Sequence, residues 1–243
     1  AALFARSFPG IAVRGVGRDA SLDWLRECPG VVAKVPIGSL PLFLRNARED
    51  FPCRKGYLVP DASRVPAYRD RLHALGGKLR VGISWRGGAR TTHGARRSIE
   101  LSRLSALFAV REVRFVSVQH GLTENERESA LAAGITLFED AMSDLDEAAA
   151  LFAALDLVIS VTNTNAHLAG ALGVPAWVLL NESPDWRWLR AGERSPWYPS
   201  MSLLRSEGGP RWANVVPELA RRLAAAAADP SRLGNHSSYG ATQ

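Results

Sequence analysis

The chain has 243 residues, enough for one large domain or two small ones around a proper core. Its net charge of +6 is almost wholly arginine, Lys occurring only at 34, 55 and 78; scattered arginines without a zinc-finger or RRM signature point away from nucleic acid and suit anionic small molecules. Cys28 and Cys53 are isolated, which excludes a disulfide framework or a zinc site and points to a reducing cytoplasm, and no run approaches the ~18 apolar residues of a membrane span.

The opening AALFARSFPG lacks Met and reads as the middle of a helix, so a fragment is expected. A strand is predicted for IAVRGV (11–16), followed by the apolar VVAKVPIGSLPLFL and a Pro-rich stretch over 52–66. Residues 1–77 read as the remnant of another domain plus a linker. From residue 78 the pattern becomes regular. Strands are predicted at LRVGISW (79–85), VRFVSVQHG (113–121), ITLFED (135–140), LDLVIS (155–160) and PAWVLL (175–180). Between them lie helices at SRLSALFAV (102–110), TENERESALAAG (123–134), DLDEAAALFAAL (144–155) and NAHLAGALG (165–173). A last helix covers 212–229, with Pro217 in its first turn or two, and residues 231–243 read as a flexible tail. Strands alternating with helices of about ten residues predict an α/β fold with a Rossmann-like, doubly wound parallel sheet over 78–230.

Ligands of such sheets bind at the carboxyl ends of the strands, and four predicted loops crowd that edge. SVTNTNAHLAGALGVP (160–175) runs from a strand through Thr162, Asn163, Thr164, Asn165 and His167 into a helix of small residues. The first N–H groups of that helix can bind an anion, or Asn163 or Thr164 can simply cap them. SWRGG sets Arg86 and Gly87 after a strand without dinucleotide-fingerprint or P-loop spacing, and Arg96 and Arg97 follow. SPDWRWLRAGERSPWYP (183–199) places Asp185, Trp186, Trp188, Trp197 and Tyr198 in one loop, where rings pack on the domain or stack on a sugar or base. No His/Asp/Glu cluster has metal-ligand spacing, so neither a metal nor another cofactor is expected, and no nucleophile elbow is present.

VGISWRGG, RRSIELSRLSALF, VRFVSVQHG, the block from Asp156 to Pro175, PDWRWL and SPWYPS together resemble the C-terminal half of bacterial tetratricopeptide-repeat glycosyltransferases. These are related to heptosyltransferase-like and O-GlcNAc transferase-like enzymes, and the resemblance spans roughly residues 30 to 225. It implies the C-terminal domain of a GT-B fold with a partial N-terminal α/β segment (1–77) from the acceptor side. It also implies an upstream repeat region and a metal-independent transfer of sugar from a nucleotide-diphosphate donor to a protein or glycan acceptor. By resemblance, Arg86, Gly87, Arg97, Gln119, Asn163, Thr164, Asn165, His167, Asp185 and Trp186 would contact the donor, with His167 the candidate catalytic residue. One position departs: where the family carries Asp, this chain has Asn163. That substitution keeps open a second class, a degenerate transferase domain that binds a nucleotide sugar or a partner protein without turnover.

Overall fold

The computed structural model describes residues 1–17, 23–88, 94–206 and 212–233. Six strands form one parallel sheet: β1 (Leu79–Ser84), β2 (Val113–Ser117), β3 (Thr136–Leu137), β4 (Leu157–Val161), β5 (Ala176–Leu180) and β6 (Met201–Arg205). Their order is β3-β2-β1-β4-β5-β6. The chain therefore builds outward from β1 to β3, then returns to the other side of β1 and builds outward again. β1 and β4 are paired in register from Val81↔Leu157 to Ser84↔Ser160, and the topology reverses at their carboxyl ends. Every residue of β4 and β5 is buried. Continuous apolar runs suit strands covered on both faces.

The helices are α1 (Ala2–Ser7), α2 (Pro41–Leu44), α3 (Val65–His73), α4 (Gly94–Arg97), α5 (Ser105–Phe108), α6 (Glu124–Ala132), α7 (Leu145–Ala154), α8 (Thr164–Leu172) and α9 (Val215–Ala228). One face of the sheet is covered by α1, α3, α7 and α8 through Leu3, Leu72, Leu151, Phe152 and Ala169. The other takes α5 and α9 through Leu107, Leu219 and Leu223, with Ala130 of α6. Local sequence explains the helix ends. Thr123 and Glu126 form a reciprocal capping box at α6, and the Asp144 carboxylate caps α7 through the Asp146 and Glu147 amides. Asn163 caps α8, and Gly173 ends it at φ 72°, a left-handed conformation that glycine adopts without a Cβ penalty. Pro217 is the third residue of α9, in the turn where its missing N–H costs nothing.

Several expectations are amended. Residues 11–16 carry no strand, since among the described residues no neighbouring strand receives their ladder. The third strand shrinks to Thr136–Leu137, and β6 extends the sheet beyond the five strands expected. In the stretch before β1, α3 packs on α7 with Tyr68 and Leu72 buried. Arg6 pairs with the buried Asp146, and the Tyr57 and Leu58 amides both donate to the Ala171 carbonyl at 2.7 and 2.8 Å. Between α1 and α3, by contrast, Val32, Ile37 and Leu42 are 98%, 85% and 74% exposed. At the far end, Leu233 is buried against α9's core, whereas the rest of the expected tail, 234–243, lies outside the described residues.

Candidate functional site

A cleft of about 1460 Å³ opens where the topology reverses, at the carboxyl ends of β1 and β4. Its polar end is formed by Arg86, Gly87 and Gly88 after β1, Gln119 and His120 after β2, and Asn163, Thr164 and Asn165 at the start of α8. From there it runs between α5 and α6, past Leu101, Phe108 and Ala133, with Trp212 also in its wall. The β1 loop is shaped by glycine: a Cβ on Gly87 would stand 2.5 Å from the Gly94 carbonyl oxygen. Its amide donates to the Ser98 hydroxyl at 2.9 Å, and that hydroxyl donates to Gly94 O at 2.9 Å.

Behind the polar end lies a network of carboxamides around one buried hydroxyl. Ser84, Gln119 and Asn165 are 2%, 6% and 7% exposed. Gln119 Oε1 accepts from Ser84 Oγ (3.0 Å), Trp85 N (3.3 Å) and Arg86 N (2.9 Å). Because Ser84 spends its proton there, its oxygen accepts from Asn163 Nδ2 (2.7 Å) and Asn165 Nδ2 (3.2 Å). Asn165 Nδ2 also donates to Val118 O at 2.6 Å, and Asn163 Nδ2 to Arg86 O at 3.1 Å. Asn163 Oδ1 accepts from the Asn165 and Ala166 amides and from Ser160 Oγ, at 2.9, 3.3 and 3.0 Å. The ends of β1, β2 and β4 are thereby bonded into one unit, with every carboxamide orientation determined by its partners.

Arg86 belongs to a second, charged cluster. Its Nε donates to Glu126 Oε1 at 2.7 Å, and its Nη2 donates to the His120 and Gly121 carbonyls at 3.2 and 2.6 Å. Burial raises the Glu126 pKa, but the Thr123 amide, the Arg86 guanidinium and the Thr123 hydroxyl together hold it below its ordinary value. Arg97 Nη1 reaches across to the Thr162 carbonyl at 2.7 Å, linking α4 to the end of β4.

The structure thus gathers Arg86, Gly87, Gln119, Asn163, Thr164 and Asn165 at one opening. Thr164 is exposed there. It sends His167 elsewhere. One turn further along α8, the imidazole stacks on Trp188 with centroids 5.1 Å apart, and its Nδ1 is bonded to the Tyr198 hydroxyl at 3.0 Å. Burial pushes the imidazole below its ordinary pKa, Arg187 adding to the effect against Asp185. Asp185 caps the short turn 186–188, and Trp186, 53% exposed, packs edge-on against Trp197. His167 therefore sits in an aromatic cluster with Trp188 and Tyr198, held against α8 because Gly170 lets Tyr198 approach its backbone, and neither it nor Asp185 nor Trp186 lines the cleft. Sequence reading missed Ser84 and Glu126. Each left a signal: a serine closing the apolar run Val81–Ile83, and the T-x-x-E spacing of Thr123 and Glu126. Among the described residues no group of three or more His, Cys, Asp or Glu could hold a metal ion, and no helix is long and apolar enough to cross a membrane.

The chain matches no protein-family profile. It is 34% identical over 193 residues to Protein FlbA of Caulobacter vibrioides, a match covering 77% of this chain and 32% of FlbA. The chain therefore spans about a third of the length of that relative. Among solved structures it is similar to the E. coli ADP-heptose lps heptosyltransferase II, with a TM-score of 0.50 and 14% identity over 79% of this chain and 58% of that one. It is also similar to the glycosyl transferase family 9 protein from Veillonella parvula, with a TM-score of 0.45 and 12% identity over 63% of this chain and 43% of that one. The parallel α/β sheet with flanking helices is thus a fold this chain shares with that heptosyltransferase.

Proposed function

We propose that the chain is the donor-binding part of a glycosyltransferase, taking a sugar from a nucleotide-diphosphate sugar to a protein or glycan acceptor without a metal ion. The observation that carries this reading is the cleft at the β1/β4 crossover, the place where open α/β sheets hold nucleotides. In this proposal Gly87, Gly88 and Thr164 face the diphosphate, because close backbone approach and an exposed hydroxyl at a helix start suit phosphate oxygens. Arg86 supplies positive charge to the leaving diphosphate after exchanging its bond to Glu126, as a guanidinium fork can. The base lies toward Leu101, Phe108 and Ala133, where apolar walls can cover a ring. Gln119, Asn163 and Asn165 support this opening from behind. Arg97 steadies the β4 end through the Thr162 carbonyl.

Residues 78–230 would form the donor domain. Residues 1–77, in which Val32, Ile37 and Leu42 are exposed, would be the remnant of an acceptor-side domain and linker. A cytoplasmic site of action and an upstream tetratricopeptide region belong to the same proposal. A second reading, nucleotide-sugar or partner binding without turnover, draws support from the Arg86–Glu126 pair, which leaves the arginine already neutralised. The test is calorimetric titration of UDP, GDP, ADP, CMP and dTDP sugars in EDTA, followed by transfer assays on the full-length protein. Binding of at least one donor in EDTA is expected. Failure of all of them at millimolar concentration would overturn the proposal, and binding without transfer would favour the second reading.

A further inference from the structure

We infer that Asn163 is a positioning residue that also sets the charge of the anion end of the cleft, and that a carboxylate in its place would impair the site rather than restore it. The inference rests on the reading of the cleft as a nucleotide-diphosphate site. Its basis is the polarity of the hydrogen bonds. Two groups face Asn163 Nδ2: the Arg86 carbonyl, which can only accept, and Ser84 Oγ, whose proton already goes to Gln119. Two backbone amides donate to Oδ1, and the Ser160 hydroxyl shares its one proton between Oδ1 and the Val161 carbonyl. Only a side chain with one donating and one accepting end matches both sides, and a carboxylate accepts at both. Aspartate would set an anionic oxygen against the Arg86 carbonyl. To bond it, Ser84 would have to turn its proton away from Gln119, leaving that oxygen with only its two amide donors.

The consequence reaches the ligand through two routes. The Asn163 bond to Arg86 O ties the β1 loop, with Gly87 beside it, to the first turn of α8, and so helps set, beside the Asn165 bonds to Ser84 and Val118, the spacing between the two walls of the cleft. The second route is charge. A helix start attracts anions through its partial positive charge, and a neutral cap leaves that attraction intact while an anionic cap opposes it. Asn163 is thus the cap that both closes the network and leaves room for a diphosphate. The charge-neutral end of α8 deepens the substrate class: the site is built for a ligand that brings its own negative charge.

Two variants separate the routes. Asn163→Ser keeps a neutral cap but loses the bond to Arg86 O, whereas Asn163→Asp loses the same bond and adds a charge. Nucleoside diphosphates, inorganic pyrophosphate and the parent nucleosides are titrated against wild type and both variants at low and high salt, with melting temperatures recorded. Both variants should melt several degrees below wild type. Asn163→Asp should bind diphosphate at least tenfold more weakly than Asn163→Ser at low salt, with the gap narrowing at high salt and absent for uncharged nucleosides. Equal or tighter diphosphate binding by Asn163→Asp would overturn the inference. If wild type binds neither diphosphate nor pyrophosphate, the functional reading fails on its own, and the melts decide the clasp: an Asn163→Asp protein as stable as wild type would refute it.

Discussion

Replacing Glu126 with Gln tests whether Arg86 serves an anion. In the structure the guanidinium has a carboxylate 2.7 Å from Nε and two carbonyls at Nη2, so any phosphate competes with groups already in place. The variant keeps an acceptor for the Thr123 amide of the capping box but removes the negative charge. Side-chain exposures of 39% for Arg86 and 19% for Glu126 make the pair only partly screened. The loss of stability should be about 1 kcal/mol, or roughly 2–4 °C in melting temperature for a chain of this size. The gain in affinity is set by Coulomb's law: at an effective dielectric of ~20, two unit charges ~8 Å apart repel by about 2 kcal/mol, and solvent reduces this. Diphosphate should therefore bind Glu126→Gln several-fold to about thirtyfold more tightly, by calorimetry at low salt, while the protein melts slightly earlier. The pH dependence follows from the same pair. A carboxylate held below its ordinary value of 4.5 contributes stability above that value, and the contribution is lost as pH falls through its lower folded-state value. Wild type and variant should hence converge in stability in acid, below the ordinary carboxylate range. Unchanged diphosphate affinity in Glu126→Gln would remove Arg86 from the anion site and, with it, the electrostatic part of the proposed mechanism.

Two further outcomes are expected. Gly87→Ala would force its Cβ to 2.5 Å from the Gly94 carbonyl and 3.0 Å from Arg97 Cβ; the loop must shift, costing about 1–3 kcal/mol of stability, and donor affinity should fall with it, so a variant with wild-type titrations would show that this loop does not shape the site. His167→Ala should cost about 1–3 kcal/mol through lost packing on Trp188 and the lost Tyr198 bond, leave diphosphate affinity unchanged, and flatten the fall in stability as pH drops below the ordinary imidazole value of 6.5, because an imidazole kept neutral in the fold binds protons more readily when unfolded. Melts at pH 5.5 and 7.5 check the second part, and a tenfold loss of affinity would return His167 to the ligand.

Much of the sheet was legible because parallel strands buried on both faces leave continuous apolar runs, as at LVISV and AWVLL, and because helices announce their starts at Asp144 and Asn163. From the same pattern came the edge on which a ligand would sit, since that edge follows from strands alternating with helices. Local sequence did not contain the partners of the side chains there. Asn163 reads the same whether it caps a helix, contacts a sugar or bonds the Arg86 carbonyl 77 positions away, and only the β1–β4 pairing brings that carbonyl within 3.1 Å. Likewise Arg86 reads as a free phosphate ligand until α6 carries Glu126 to it from 40 positions on. His167 lies one turn past Thr164 on the same side of α8, yet its surroundings differ, because the chain after β5 packs Trp188 and Tyr198 onto that turn. The short ladder of β3 and the absence of a strand at 11–16 have the same origin. Strand propensity is a property of the segment, whereas a strand exists only where the fold supplies a second chain of amides and carbonyls to bond it.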